Sequence, residues 1–438
     1  MDLDDFDTFR IATCDLNGQM RGKRMPQKDQ GKLASGDLRM PLSVLNVDIW
    51  GADIANSPLL FASGDGDGYL LPTNRGPVPM PWLDQPSALV GMWMFEEDGR
   101  PFEGDPRHAL AQILDRYAAR GWQVVAATEL EFYLIDDSAE SLRPPKDPTS
   151  NRKIDSSAIL SLQQLDAFEA FFSELYQSCA QMGINAQAAS SEAGIGQFEI
   201  SLQHGDALRI ADDTWLFKTL LKGVARKHGY AASFMAKPYP NDAGNGLHLH
   251  FSVLDEAGEN IFDDGTKQGS PLLQNAVAGC LATMRAATLG FAPHANSYAR
   301  MDPENHAPTS ICWGYENRTA ALRIPAGAPS ARRIEHRVAG GDINPFLTLS
   351  LILGAALLGI EDDLTPPPPI TGNAYSQDLP QLIHSWSEAI DMFENDPMIA
   401  RILPAQLIEN FSLTKRQELD GLKNIPQEEH WKIYLETV

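Results

Sequence analysis

The stretch Thr128-Glu129-Leu130-Glu131-Phe132-Tyr133-Leu134 constrains the fold more than any other part of the chain. Residues two apart in a β-strand leave the same face. A strand here sends Glu129 and Glu131 to one side and the apolar Leu130 and Phe132 to the other. Two like charges side by side disfavour a sheet unless a cation lies between them. The acidic face is therefore either solvated or built around a cation, and the apolar flanks favour the second reading.

Around this run the hydrophobic periodicity predicts an α+β chain. Trp122 to Ile135 reads as one strand, Gly194 to Leu202 as a second and Gly246 to Leu254 as a third. Helices are expected at Gln164 to Met182, Asp213 to Lys227, Leu272 to Ala287 and Pro345 to Ile360. Pro106 suits the first turn of a helix from His108 to Arg120. Pro366 to Pro369 form a stiff extended connector, and the last ~60 residues carry a helical period. Residues 1–100 differ in texture. Their short alternating segments, such as Phe9 to Asp15 and Leu42 to Ile49, are broken by Gly, Pro and Asp. That pattern suits a small β-rich domain ahead of a larger one at 101–438.

Three further stretches carry chemistry. Glu192 and Glu199 flank Gly194 and Gly196, a turn that can fold both carboxylates towards a common point. Taken alone, a surface loop fits that pattern equally well. In Gly244-Asn245-Gly246-Leu247-His248-Leu249-His250, both histidines share a strand face after a glycine turn that lets a ligand approach the backbone. A paired H-x-H in that setting points to a metal or nucleotide site. Arg300, Arg318, Arg323, Arg332, Arg333 and Arg337 crowd one region of an acidic protein, and guanidinium forks suit carboxylates and phosphates. In Arg333-Ile334-Glu335-His336-Arg337, alternation puts Glu335 between two arginines on one face, a metal ligand flanked by anion holders. Arg332 and His336 fit a surface salt-bridge ladder as well. Carboxylates and imidazoles for hard cations beside arginines for anions suit phosphoryl transfer. The chain has neither a G-x-x-x-x-G-K-[ST] loop nor the protein-kinase motif set.

A net charge of -23 over 438 residues excludes general nucleic-acid binding. No apolar run approaches the roughly 20 residues that cross a membrane. The acidic start Met1-Asp2-Leu3-Asp4-Asp5 lacks the basic and apolar regions of a signal peptide, so a cytoplasmic location is expected. Cys14, Cys179, Cys280 and Cys312 are scattered, as buried thiols in a reducing compartment would be.

The sequence resembles the glutamine synthetase family over nearly its whole length. The matching stretches are Asp15 to Lys23 (D-x-x-G-x-x-R-G-K), Glu129 to Phe132, Glu192 to Glu199, Gly244 to Ser252, Asn296 to Arg300, Asn317 to Pro325, Arg333 to Arg337 and Asp342-Ile343-Asn344-Pro345. The resemblance implies a β-grasp N-terminal domain, a larger catalytic domain with a curved antiparallel sheet flanked by helices, and a homo-oligomer of stacked rings, usually a dodecamer. Active sites would lie between neighbouring subunits. It implies that Glu131, Glu192 and Glu199 hold one Mg²⁺ or Mn²⁺, and Glu129, His248 and Glu335 a second. Gly244, Arg300 and Arg337 would bind L-glutamate, and Arg318 would meet the transferred phosphoryl group. Arg323 and Arg333 would lie near ATP, with His250 and Ser252 lining its pocket.

Two departures from the family pattern concern the amine. Glutamine synthetases proper carry an Asp in a D-G-S-S type segment and a flap Glu six residues beyond the arginine matching Arg300. Here the segment reads Gly51-Ala52-Asp53-Ile54-Ala55-Asn56-Ser57, with Asp53 as a stand-in, and the flap position is His306. An imidazole can still accept a proton. With Gly64-Asp65-Gly66-Asp67-Gly68 and Trp313-Gly314, these residues resemble the γ-glutamylpolyamine and γ-glutamylmethylamide synthetase branch. The resemblance implies an organic primary amine as acceptor. A glutamine synthetase proper using ammonium, and a non-catalytic ring-forming member, are the alternatives.

Overall fold

Alternating burial along Thr8–Cys14 (β1) buries Phe9 and Ile11. A hairpin returns the chain as β2, Met20–Pro26. In a computed structural model, residues 3–60, 63–303 and 307–438 are described. Gly22 in β2 faces Ala12, and a Cβ there would stand 1.7 Å from the Ile11 carbonyl oxygen, so the hairpin closes only with glycine. Three more strands, β3 (Arg39–Pro41), β4 (Asp67–Pro79) and β5 (Ser87–Phe95), complete a sheet ordered β2-β1-β5-β4-β3. Its first and last strands run parallel and adjacent at the centre, the β-grasp arrangement.

The second sheet is built on β6, Gln123–Ile135, where Leu130, Phe132 and Leu134 are fully buried and Glu129 and Glu131 are not. It continues through β7 (Ala186–Ser191), β8 (Gln197–Leu202), β9 (Gly205–Asp206), β10 (Ala231–Ser233), β11 (Leu247–Leu254), β12 (Trp313–Tyr315), β13 (Leu322–Ile324) and β14 (Ile334–His336). The main path is β12-β13-β14-β11-β6-β8-β7, with β9 and β10 pairing β6. Every pair is antiparallel except β12 with β13. The helix Ala207–Lys227 backs the apolar face, and the almost wholly buried helix Pro345–Glu361 packs between it and Pro271–Met284. The chain is α+β, as its periodicity predicts.

Local details differ from the sequence expectation for physical reasons. The first long helix starts at Pro106, not His108, because the Asp105 side chain caps it by accepting from Arg107 N–H. The expected helix at 164–182 is two, Leu162–Ala167 and Glu169–Met182, broken at Phe168. The strand expected from Gly194 starts at Gln197, because Gly194 to Gly196 make the turn and Gly196 has φ +80°. Leu42 to Ile49 is no strand. It begins as a 3-10 turn, Leu42–Leu45, and then bends around the buried Asn46 and Asp48. All four cysteines are free and buried. Among the described residues no helix is long and apolar enough to cross a membrane.

The D-x-x-G-x-x-R-G-K stretch joins the two sheets. Asp15 is fully buried and accepts from the Asn17 and Gln19 N–H groups and from Arg21 Nε at 2.7 Å. Trp215, on the helix behind the large sheet, donates to the Gly18 carbonyl at 2.9 Å. Asn344 caps Pro345–Glu361 by accepting from Phe346 and Leu347 N–H, while its Nδ2 donates to the Asp15 carbonyl at 2.8 Å. One core consequently runs through both sheets, including Ala12, Leu16 and Leu89 from the first hundred residues. Asn344→Ala removes a helix cap and one of the donors to the buried Asp15 carbonyl, which keeps the Gly18 N–H. It is expected to lower stability by about 1–3 kcal/mol, read as a fall in the urea midpoint. Asn344→Asp, which keeps the cap and loses the donor, should fall between.

Candidate active site: an acidic sheet face ringed by arginines

Strand register decides which side chains meet. Glu131 on β6 stands opposite Glu199 on β8, and Glu129 stands opposite His248 on β11. On the far side of β11, His250 faces Glu335 of β14, and Glu335 faces Arg323 of β13. Directly opposed residues share a face, so five neighbouring strands deliver carboxylates, imidazoles and a guanidinium to one surface. Glu192 joins from the turn between β7 and β8, where Ser190 donates to its carboxylate at 3.0 Å.

The contacts are close. His248 Nδ1 lies 3.2 Å from Glu129 Oε2, and His250 Nε2 lies 3.1 Å from Glu129 Oε1. Glu335, only 1% exposed, accepts from Arg323 Nη1 at 2.7 Å and from Arg337 Nη1. Arg333 Nε donates to His250 Nδ1 at 3.3 Å. Two groupings bring ligand atoms within 4.8 Å of one another: Glu129, Glu199 and His248, and Glu129, His250 and Glu335. These overlap the two sets implied by the family resemblance but share Glu129 between them and draw in His250, which the resemblance assigns to a nucleotide pocket.

Electrostatics separate the carboxylates into two kinds. Burial pushes Glu199 up to about 9, helped by the charges of Glu129, Glu131 and Glu192. Burial and the Glu131 charge likewise push Glu192 up to about 7. Burial also acts against ionised Glu129, but the His248 hydrogen bond and the close His250 imidazole outweigh it and hold its pKa low. Burial opposes ionised Glu335 as well, and the Arg337, His248, His250 and Arg323 charges bring it below the usual carboxylate range. One side of the face is compensated by close basic side chains, while on the other the Arg318 and Arg337 charges do not offset burial and repulsion.

Gly244 is a steric requirement of the protein itself, held against the Ala236 carbonyl and Arg300, and Gly246 lies close under charged side chains. A Cβ on Gly244 would meet Arg300 Cγ at 2.7 Å, and one on Gly246 would meet Arg300 Nη2 at 2.8 Å and His248 Nε2 at 3.3 Å. The buried Arg300 thus packs across the glycine turn, its Nη1 donating to the Val338 carbonyl at 2.8 Å. Between the glycines, fully buried Asn245 donates to the Ser233 and Met235 carbonyls, and Gln197 donates to Asn245 and to the Gly244 carbonyl. Neither Asn245 nor Gln197 stands out in sequence, yet they lock the glycine turn to the carboxylate-bearing turn. An amide embedded between two glycines was the available signal.

The remaining candidates lie around this centre or away from it. Arg318 is exposed and makes no hydrogen bond or ion pair with any described residue, and its charge acts on Glu192. Arg323 also reaches Glu316 at 3.4 Å. Ser252 follows His250 by two on β11 and is half-buried. Asp53 is exposed beside the helix Ala405–Leu422, whose Gln417 donates to its carbonyl, and none of its contacts with described residues reaches the acidic face. His306 lies outside the described residues.

The donor set fits a hard divalent cation. It offers clustered carboxylate oxygens with imidazole, and two carboxyls whose pKa burial and mutual repulsion raise without one. A metal must then displace protons from Glu199 and Glu192. Mn²⁺ affinity should rise with pH through about 7 to about 9. Binding at pH 7 should release protons, measured by calorimetry in buffers of different ionisation enthalpy. Glu199→Gln should flatten the upper part of that pH dependence.

Residues 103–434 match the glutamine synthetase catalytic-domain family. The chain is 35% identical to the gamma-glutamylputrescine synthetase of Escherichia coli (strain K12) over 414 residues, covering 93% of this chain and 87% of that one. It is 32% identical to a glutamate–isopropylamine ligase of Pseudomonas sp over 424 residues, covering 94% and 91%. The crystal structure of a novel glutamine synthase homolog superposes with a TM-score of 0.85 at 26% identity, covering 99% of both chains. The acidic face, its arginines and these likenesses converge. This chain belongs to the glutamine synthetase family and is a carbon–nitrogen ligase of its glutamate–amine ligase branch.

Proposed function

We propose that the chain joins the γ-carboxylate of L-glutamate to an organic primary amine at the expense of ATP, giving a γ-glutamylamide, ADP and phosphate. The observation that carries this reading is the meeting of Glu129, Glu131, Glu192, Glu199, His248 and Glu335 on one face, beside Arg300, Arg318 and Arg337. Mg²⁺ or Mn²⁺ held by those carboxylates would neutralise phosphate charge during transfer. Arg300 and Arg337, both buried, would bind the glutamate carboxylates, with Gly244 leaving room for Arg300. Arg323 and Arg333 would flank the nucleotide, whose pocket His250 and Ser252 would line.

In this reading the glutamate γ-carboxylate oxygen attacks the terminal phosphorus of ATP, and ADP leaves. Arg318, without a hydrogen bond or ion pair among the described residues, is available to the phosphoryl group in flight. The amine nitrogen then attacks the γ-carbonyl carbon of γ-glutamyl phosphate, phosphate departs, and the nitrogen gives up a proton. His306, at the sequence position where glutamine synthetases proper carry a carboxylate, would accept that proton. The exposed Asp53, remote from its own chain's acidic face, would serve the site of a neighbouring protomer in a ring of identical subunits. A cytoplasmic enzyme of this kind would draw on ordinary pools of ATP and glutamate.

Purified protein with ATP, Mg²⁺ and glutamate should release phosphate faster with methylamine, ethanolamine or putrescine than with ammonium. A clear preference for ammonium overturns the amine assignment and makes the chain a glutamine synthetase proper. Glu129→Ala and Glu335→Ala should each cut glutamate-dependent ATP turnover by at least about a hundredfold, since each removes a fixed charge at the transfer site. Undiminished turnover in both variants, or none in the wild type, would leave only a ring-forming role.

A further inference from the structure

The turn from Glu192 to Gln197 carries a carboxylate that its neighbours on the sheet repel. The Glu131 and Glu129 charges both act on Glu192, and repulsion of that kind drives a turn away from the face it borders. Within the turn, Glu192 N–H donates to the Gln197 carbonyl at 2.9 Å and Gln197 N–H to the Gly194 carbonyl at 3.1 Å. Those bonds shape the turn, whereas contacts with the segment ahead of Gly244 fix where it stands. The amides of Gln197 and Asn245 supply one set of these contacts. A second set comes from Asp242 and Tyr133.

Asp242 lies two residues ahead of Gly244 and is half-buried. Its Oδ2 accepts from Ile195 N–H at 2.9 Å, in the middle of the Glu192 turn, and its Oδ1 accepts from Ala243 N–H at 2.9 Å. The Asp242 carbonyl in turn accepts from Lys237 Nζ. One carboxylate thereby ties the carboxylate-bearing turn to the chain entering the glycine turn. Tyr133 follows Glu131 by two on β6 and leaves the same face. It is fully buried, and its hydroxyl donates to the Ala243 carbonyl at 2.7 Å. A Cβ on Gly194 would stand 1.8 Å from that hydroxyl oxygen, so only glycine lets the Glu192 turn close against it. Tyr239 packs edge-on against the Tyr133 ring, with centroids 5.3 Å apart. The phenol is wedged between two turns that Asp242 ties together.

We propose that Asp242 is a positioning residue for both halves of the site, holding the Glu192 turn against the glycine turn so that a divalent cation and the amino-acid substrate meet at a fixed separation. This rests on the reading of Glu192 as a cation ligand and of Gly244 and Arg300 as the glutamate site. Asp242 touches neither ligand and acts through the Ile195 and Ala243 amides. Tyr133 sets the distance between the turns from the opposite side, as a spacer bonded to one and packed against the other. Loss of either contact leaves the carboxylates on the face but frees the Glu192 turn to yield to their repulsion.

Calorimetry of Mn²⁺ binding, and of glutamate binding with ADP and Mg²⁺ present, tests this. Asp242→Ala should weaken Mn²⁺ binding about tenfold, as loss of a group that orients a metal ligand does, and should weaken glutamate binding as well. Asp242→Asn loses the charge but keeps an acceptor, so both affinities should stay closer to the wild type. Tyr133→Phe keeps the ring and loses the Ala243 bond, and should weaken both ligands about threefold. It decides the matter even where Asp242→Ala does not fold. Asn344→Ala, which costs stability at the junction of the two sheets, should leave both affinities within about twofold of the wild type. Unchanged affinities in Asp242→Ala and Tyr133→Phe overturn the proposal, and so does a loss confined to one ligand. A loss in Asp242→Asn equal to that in Asp242→Ala overturns it too, since charge and not position would then be the cause, as does an equal loss in Asn344→Ala. Wild-type protein that fails to bind Mn²⁺ or glutamate would overturn both this assignment and the ligase reading. Protein that binds both without turning over ATP would overturn the ligase reading alone, and the affinities would still decide Asp242.

Discussion

The large sheet places Glu129, Glu131, Glu199 and Glu335 on one face, with Glu192 at its edge, and like charges at that spacing repel. Nothing about β-sheet formation favours this, so the rest of the fold must supply compensation. On the β11–β14 side it comes from His248, His250, Arg323 and Arg337, which hold Glu129 and Glu335 ionised. On the β8 side no guanidinium reaches Glu199 closely enough to match burial and its neighbours, and it stays protonated at neutral pH. The face is thus half neutralised by protein and half by protons, and a cation replaces the protons most easily.

Holding that face in register requires the structure behind it to be stiff. Fully buried apolar residues of β6 alternate with its carboxylates and are covered by the helix Ala207–Lys227. Asn344 begins the next buried helix and at the same atom group holds the Asp15 turn of the small sheet. At the far end of the chain, Lys415 and Glu418 are fully buried and pair with each other and with Asn17, 401 residues from Glu418. Such a buried ion pair adds little net stability, yet each member tolerates no partner other than the one supplied. The two sheets are therefore keyed to one relative position.

Much of this was legible in the sequence because alternation in strands is a local property. Glu129 with Glu131, His248 with His250, and Arg333 with Glu335 and Arg337 are pairs and triples within single strands, and period two gives their common face directly. Register between strands is not local. That Glu131 meets Glu199, or that His250 meets Glu335 and Arg323, depends on where each strand begins, and glycine turns such as Gly194 to Gly196 moved those starts by up to three residues. The close packing at Gly244 was equally out of reach, since it involves the Ala236 carbonyl and Arg300, the latter more than fifty residues on.

Glu335 shows why the two halves of the site act as one. Its two oxygens already serve Arg323 and Arg337, and His248 Nδ1 lies 3.9 Å away. A carboxylate shared among cations binds each less tightly than it would bind one, because its charge is divided between them. Any cation drawn to Glu335 weakens its hold on both guanidiniums, and they are then freer to meet an anion. The reverse also holds, since an anion that draws Arg323 or Arg337 away leaves Glu335 more attractive to a metal. Such coupling is reciprocal by thermodynamic necessity. It requires no moving domain, only a buried carboxylate whose charge is divided among several partners.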